Sequence, residues 1–138
     1  MRFMILVKAS ADSEAGTMPE ERVFAAMASY HEELAKAGVL LDAAGLQPSS
    51  KAWRVRWRGG NKTVVDGPFT ESKELVAGYT LIQTRTREEA VEWSRRFPNP
   101  VGEGVRCHIE VRQLFEMEDF DGMLKEETAG RFRQIGVQ

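Results

Sequence analysis

His31 and Asp66 are the residues of this sequence best suited to carry proton chemistry. Histidine titrates near neutral pH, and a carboxylate partner fixes its tautomer and raises its basicity for proton abstraction. His31 falls inside an amphipathic stretch, where it can equally be a partly buried ring that bonds the sheet or packs beside Tyr30. Asp66 opens the corner Asp66-Gly67-Pro68-Phe69, in which Gly permits positive φ and Pro fixes φ and cannot continue a ladder. Its carboxylate can accept from nearby backbone N–H groups as an Asx-turn, a role compatible with a catalytic one if one oxygen faces a cavity.

Further charged groups lie close by in sequence. Glu71, Lys73 and Glu74 follow the corner and either line the mouth of a pocket or form a solvated run, where an ion pair contributes only about 0–1 kcal/mol. Arg54, Arg56 and Arg58 alternate with Trp53, Val55 and Trp57, which sets a basic stripe on one strand face. Such a stripe can hold a carboxylate or phosphate by bidentate contacts, or simply be solvated. Arg54, Glu71 and Lys73 are the candidate ligand-binding residues.

Other chemistries find little support. RNA binding would stack bases on aromatics, but the tryptophans lie opposite the arginines and the net charge is −2. His31 and His108 have no metal-ligand spacing, and the acidic run from Glu116 to Asp121 lacks the pattern of a calcium loop. No phosphate-cradling loop or nucleophile elbow is present, so no cofactor and no metal is expected. Cys107, the single cysteine, is expected in the core.

The elements that must position these groups follow from periodicity. A 138-residue chain is most simply one domain, burying roughly 68–70% of its unfolded surface. Phe3 to Val7 is a continuously apolar strand, too short for a membrane span or a signal segment. Residues 9–16 read as a loop. Thr17 and Glu20 make a capping-box pattern for a helix running to Ala37, with Gly38 as its cap and Val23, Met27, Tyr30 and Leu34 as its buried stripe. Val39 to Ala44 is a short strand. Residues 52–58 and 62–65 form a hairpin turned by Gly59-Gly60. Leu75 to Gln83 is a central strand. Thr86 and Glu89 cap a helix through Phe97, with Ala90, Val91, Ser94 and Phe97 buried, and Val105 to Arg112 alternates as a half-buried last strand.

The order is the βαββαβ unit of an α+β, ferredoxin-like fold with an inserted β-hairpin. Both helices cover one sheet face. The apolar residues on the other face predict a second copy of the chain, closing a dimeric α/β-barrel, since two-fold dimers are the commonest homo-oligomers. Beyond residue 115, Met117, Phe120 and Leu124 predict a short helix. Residues 116–138 are thus an extension packing on the core or on the partner, with Phe132 and Ile135 as anchors, and residues 1–115 form the domain.

Asp66-Gly67-Pro68-Phe69 with Glu71-Ser72-Lys73-Glu74, Gly45-Leu46-Gln47-Pro48-Ser49-Ser50 and Ile109-Glu110-Val111-Arg112 resemble the DGPF branch of the YCII-related family over roughly residues 1 to 115. The resemblance implies a dimeric α/β-barrel of ferredoxin-like chains. It also implies a small pocket holding a His and an Asp, here His31 and Asp66, and lyase-like activity on small organic molecules in a few members. The expected function is binding of a small, anionic organic molecule in an intersubunit pocket. The alternatives are an elimination or isomerisation with His31 as base and Asp66 orienting it, and a non-catalytic interaction or regulatory module. The sequence pI near 5.8 argues against nucleic acid or an anionic membrane as partner, and a cytoplasmic location is the default.

Overall fold

The computed structural model describes residues 1–136, apart from the side chain of Ser72. The chain runs β1 (Arg2–Lys8), α1 (Ala11–Glu14), α2 (Glu21–Lys36), β2 (Leu40–Gly45), β3 (Trp53–Arg58), β4 (Asn61–Asp66), β5 (Val76–Gln83), α3 (Arg87–Arg95), β6 (Ile109–Gln113) and α4 (Glu126–Gln134). One antiparallel sheet has the order β2-β5-β1-β6, and β3 and β4 pair separately as a hairpin. With α1 and the hairpin set aside, β1-α2-β2-β5-α3-β6 is the ferredoxin-like βαββαβ unit, its first and third strands central.

Alternation along the central strands decides what each face carries. Phe3 and Ile5 of β1 and Ile82 of β5 point to one side, where they form the core with Tyr30 and Leu34 of α2 and Ala90 of α3. Ile5, Leu34 and Ile82 are fully buried, and each such side chain contributes about 1.5–3 kcal/mol. Met4, Leu6, Tyr79 and Leu81 alternate to the other side and are half-buried.

Local chemistry moved several element ends. The Thr17–Glu20 box does not form: α2 starts at Glu21 without a side-chain cap. A reciprocal box closes earlier instead. Ser13 N–H donates to Ser10 Oγ at 3.1 Å and Ser10 N–H to Ser13 Oγ at 2.8 Å, so part of the expected loop over 9–16 becomes α1. Gly38 ends α2 as expected. At φ 75° it lets Val39 N–H reach the Leu34 carbonyl at 3.0 Å.

On α3 and just past its end, Ala90 and Phe97 pack on the core as expected, but Trp93 takes the inward place expected of Val91, which is 39% exposed. Strand β6 begins at Ile109, not Val105, because Asn99 gathers the preceding loop. Its Oδ1 accepts from the N–H groups of Val101 and Gly102, and its amide donates to the Val105 carbonyl. Cys107 sits on that loop, exposed, with Sγ–H donating to Asn99 Oδ1, and is not a core residue. Past β6, Met117–Phe120 is a 3₁₀ turn and the helix comes later, at Glu126–Gln134, with Ala129 buried. Gly122 at φ 81° separates the two. Residues 137–138 of the expected extension lie outside the described residues.

Candidate functional site

His31 lies one residue past Tyr30 on α2, at the edge of the core-facing stripe, which aims its ring at β5 rather than at solvent. Its Nδ1 is 2.7 Å from the Met27 carbonyl and its Nε2 is 2.8 Å from Thr80 Oγ1. A carbonyl only accepts, so Nδ1 carries the proton. Nε2 is then the basic nitrogen, and the Thr80 hydroxyl donates to it. Tyr30 and Phe97 set the ring's plane by edge contacts, at centroid distances of 5.5 and 6.3 Å. Tyr30 itself donates to the Trp93 carbonyl at 2.7 Å, and burial pushes its phenol up to about 12.

A cavity of about 340 Å³ opens beside this histidine, within one chain, between α2 and the β2–β5 end of the sheet. It exists because the strands below carry almost no side chain. In the β2–β5 pairing, Gly45 lies opposite Gly78 and Ala43 opposite Thr80, with Ala44 and Ala77 alongside. Phe24, Met27 and Phe97 supply apolar walls. The lining has three polar side chains: His31, Thr80 and Tyr79. Tyr79 alternates away from Thr80, and its hydroxyl donates to Asp42 Oδ2 at 2.8 Å, a bond that also raises the phenol's pKa. His31 and Thr80 are therefore the polar pair available inside.

A second hollow of about 420 Å³ adjoins the first, sharing Val7, Pro19, Phe24 and Gly45 with it. Its own rim is polar, with Lys8, Ser10, Asp12, Ser13 and Thr17. Together the two form a groove whose α1 end adds these polar groups to apolar walls that include Met18, Leu46 and Val101. Lys8, its one cation, already has Nζ 3.7 Å from Glu110 Oε1.

The groups singled out in the sequence do not converge on this cavity. Asp66 is exposed at the end of β4, paired with Trp53 on the outer hairpin face, and lines neither hollow. Both ring nitrogens of His31 bond to other groups, so the two residues form no dyad. Nor does the Asp66 carboxylate accept a hydrogen bond among the described residues, so the Asx-turn is also missing. Arg54 lies with its guanidinium 3.7 Å from the centre of the Phe69 ring, a stacking contact rather than an open anion site. Glu71 and Lys73 are exposed, Lys73 on the 3₁₀ turn Ser72–Glu74 and Glu71 just before it, and both lie away from the two hollows.

The corner has a structural partner. Gly67 N–H donates to the Ala52 carbonyl and Phe69 N–H to Ser49 Oγ, each at 2.9 Å. Ser49, 7% exposed, in turn donates through its backbone N–H and its hydroxyl to the Glu14 carboxylate. Gly45–Ser50 and Asp66–Phe69 thus meet at one buried serine, with α1 supplying the acceptor.

Thr80 and Glu14 were missed in the sequence. Thr80 carries only a faint signal, as the polar residue among the inward positions Gly78, Thr80 and Ile82 of β5. Glu14 carried no signal, since its segment reads as a loop. Among the described residues no cluster of three or more His, Cys, Asp or Glu is placed to hold a metal ion, and no helix is long and apolar enough to cross a membrane.

Comparison with known proteins bears on the same stretch. The family model of the YCII-related domain matches residues 1–117. An uncharacterized protein of Rhizobium meliloti (strain 1021) is 34% identical over 80 residues, which are 58% of this chain and 64% of that protein, so the match spans less than two thirds of the relative. Among solved structures, a 5-chloro-2-hydroxyhydroquinone dehydrochlorinase from Burkholderia phenoliruptrix AC1100, in complex with 2,5-dihydroxybenzoquinone, shares 16% identity. That match covers 83% of this chain and 94% of the other, at a TM-score of 0.44. At that distance the likeness carries nothing beyond itself, and the fold rests on the strand order above.

Proposed function

The chain belongs to the YCII-related family, and we propose that it binds a small organic molecule, about one ring in size, in the cavity beside His31. One observation carries the proposal: a hollow of about 340 Å³ with apolar walls and one hydrogen-bonded polar pair, His31 and Thr80, in its lining. Ligand sites are concave, mostly apolar, and fixed by a few placed polar groups. This volume is at the lower end of their range of roughly 300–1,000 Å³. The lining favours a neutral ligand over the anion expected from the arginine stripe, since no Lys or Arg side chain lines the His31 hollow. The hollow also lies on the helix-covered side of the sheet, not on the face where a second copy would close a barrel.

A homodimer is part of the same proposal. Trp53, Trp57 and Val64 are 65–67% exposed and share one hairpin face with Val55. Exposed tryptophans and valines on one face, with Lys62 and Asp66 beside them, suit an interaction site, and a second copy is its economical partner.

Proton transfer at the bound molecule is the second reading. The fixed Nδ1–H supports it, because it leaves Nε2 as the basic nitrogen. Asp66 has no part in it.

Thermal unfolding with neutral and anionic ring compounds tests the proposal, since ligand at 100 times its dissociation constant stabilises by about 2.7 kcal/mol. Phenol and cyclohexanone are expected to raise the melting temperature more than benzoate, and Ala43→Leu, which fills the hollow, is expected to abolish the effect. No shift with any of them would leave the interaction-module reading in place.

A further inference from the structure

We infer that Thr80 is the group through which the cavity exchanges a proton with its ligand, and that the ligand presents a weakly acidic hydroxyl, as a phenol or an enol does. The inference rests on the reading of the His31 cavity as a binding site. It goes further in naming the residue that touches the reacting proton and the chemical class that residue would accept.

With a neutral imidazole the contacts leave one arrangement of hydrogens. His31 Nδ1–H is committed to the Met27 carbonyl at 2.7 Å, and Nε2 takes the Thr80 hydroxyl proton at 2.8 Å. The lone pair of Nε2 therefore points at Thr80, not into the hollow. A ligand entering beside Gly78 meets Thr80, a lining residue whose hydroxyl oxygen still has acceptor capacity. Thr80 stands between the imidazole and the hollow on a strand held from both sides. It is 2% exposed and lies on central β5, paired with Ile5 on one side and Ala43 on the other.

The transfer balances without any other reactant. The ligand O–H bond breaks and its electron pair stays on the ligand oxygen. A lone pair of Thr80 Oγ1 forms a new O–H bond. The original Oγ1–H bond breaks, leaving its pair on oxygen, and the Nε2 lone pair takes that proton. The products are a ligand oxyanion and an imidazolium. In this state Nδ1–H still donates to Met27, Nε2–H donates to Thr80 Oγ1, and the Thr80 hydroxyl donates to the oxyanion. Every donor keeps an acceptor in both states, in a cavity where an unpartnered polar group is costly. A carboxylate ligand has no such proton to give, in keeping with the absence of a cation from the lining.

The test uses the whole chain and 4-nitrophenol, whose ionised form is coloured, with long-range ¹H–¹⁵N spectra of the His31 ring. Free protein is expected to show the Nδ1–H tautomer. With 4-nitrophenol bound, the ligand is expected to be ionised and both ring nitrogens protonated. Thr80→Ser should retain this. Thr80→Val should still bind the probe but lower the ratio of bound phenolate to phenol by about tenfold or more, as expected for losing a hydrogen bond to a charged group. Full ionisation in Thr80→Val, or an Nε2–H tautomer in the free protein, would overturn the relay while leaving the cavity as a site. Absence of binding to the unsubstituted protein would overturn both. Rescue by serine separates the relay from a mere loss of folding in the valine variant.

Discussion

Phe69 N–H donates to the hydroxyl of Ser49 at 2.9 Å across 20 residues of sequence, and that hydroxyl donates onward to Glu14. A buried serine thus joins the two segments that flank the hairpin. Removing its hydroxyl leaves a backbone donor and a carboxylate without their partner, which costs about 1–3 kcal/mol. Ser49→Ala is therefore expected to lower the urea midpoint by that equivalent, whereas Ser50→Ala, at the exposed neighbouring position, is expected to change stability by less than about 0.5 kcal/mol.

Glycine at 67 is required by contact. A methyl group there would overlap the Ser49 carbonyl oxygen and lie 2.9 Å from its carbon, both backbone atoms that cannot swing away. Gly67→Ala is expected to cost more than about 2 kcal/mol, in the range of overpacking. Gly60→Ala meets nothing within 4 Å and serves as the comparison. Paired denaturation curves decide the point.

Acid sensitivity has an identifiable contributor at the other end of the sheet. The hydrogen bond from Arg2 holds the Glu116 carboxyl below its ordinary value of 4.5, and the guanidinium bonds both carboxylate oxygens at 3.0 Å. A folded-state value below the unfolded one means the pair stabilises above the unfolded value and loses this effect as pH falls through the folded value. The difference in urea midpoint between the protein and Glu116→Gln should be largest near neutral pH and shrink below about pH 4. A constant difference across that range would contradict the assignment.

The hairpin tryptophans offer a test of association. Light scattering at micromolar concentration is expected to give about twice the chain mass of 15.6 kDa. Trp53→Ser with Trp57→Ser is expected to give the monomer. Both side chains are more than half exposed in the single chain, so the fold itself should lose little. A monomer in the unsubstituted protein would remove the dimer from the account.

The fold was more legible than the site, for a physical reason. Strand and helix periodicities report burial directly, so βαββαβ, the hairpin with its turn and the Gly38 cap could be read from spacing. Side chains such as Trp93 and Val91 exchanged places because helical spacing fixes angles but not which of two neighbours meets the sheet. Site residues depend on long-range pairing, which spacing does not encode. His31 was found because its chemistry stands out. Asp66 stands apart from His31 in the chain because its corner is docked on Ser49, with Asp66 itself exposed opposite Trp53. Arg54 drew attention as a charge, and the structure uses its flat face against Phe69. Thr80, beside His31 in space and 49 residues away in sequence, looks in isolation like an ordinary strand residue.

Binding of a small neutral molecule in the His31 hollow is the central expectation. Backbone ¹H–¹⁵N spectra of the labelled protein, titrated with phenol and with cyclohexanone, test it most directly. The predicted result is saturable shifts centred on Met27, His31, Ala43, Gly78 and Thr80 that disappear in Ala43→Leu. Shifts centred instead on Arg54, Glu71 and Lys73, or no saturable shifts with either compound, would contradict it.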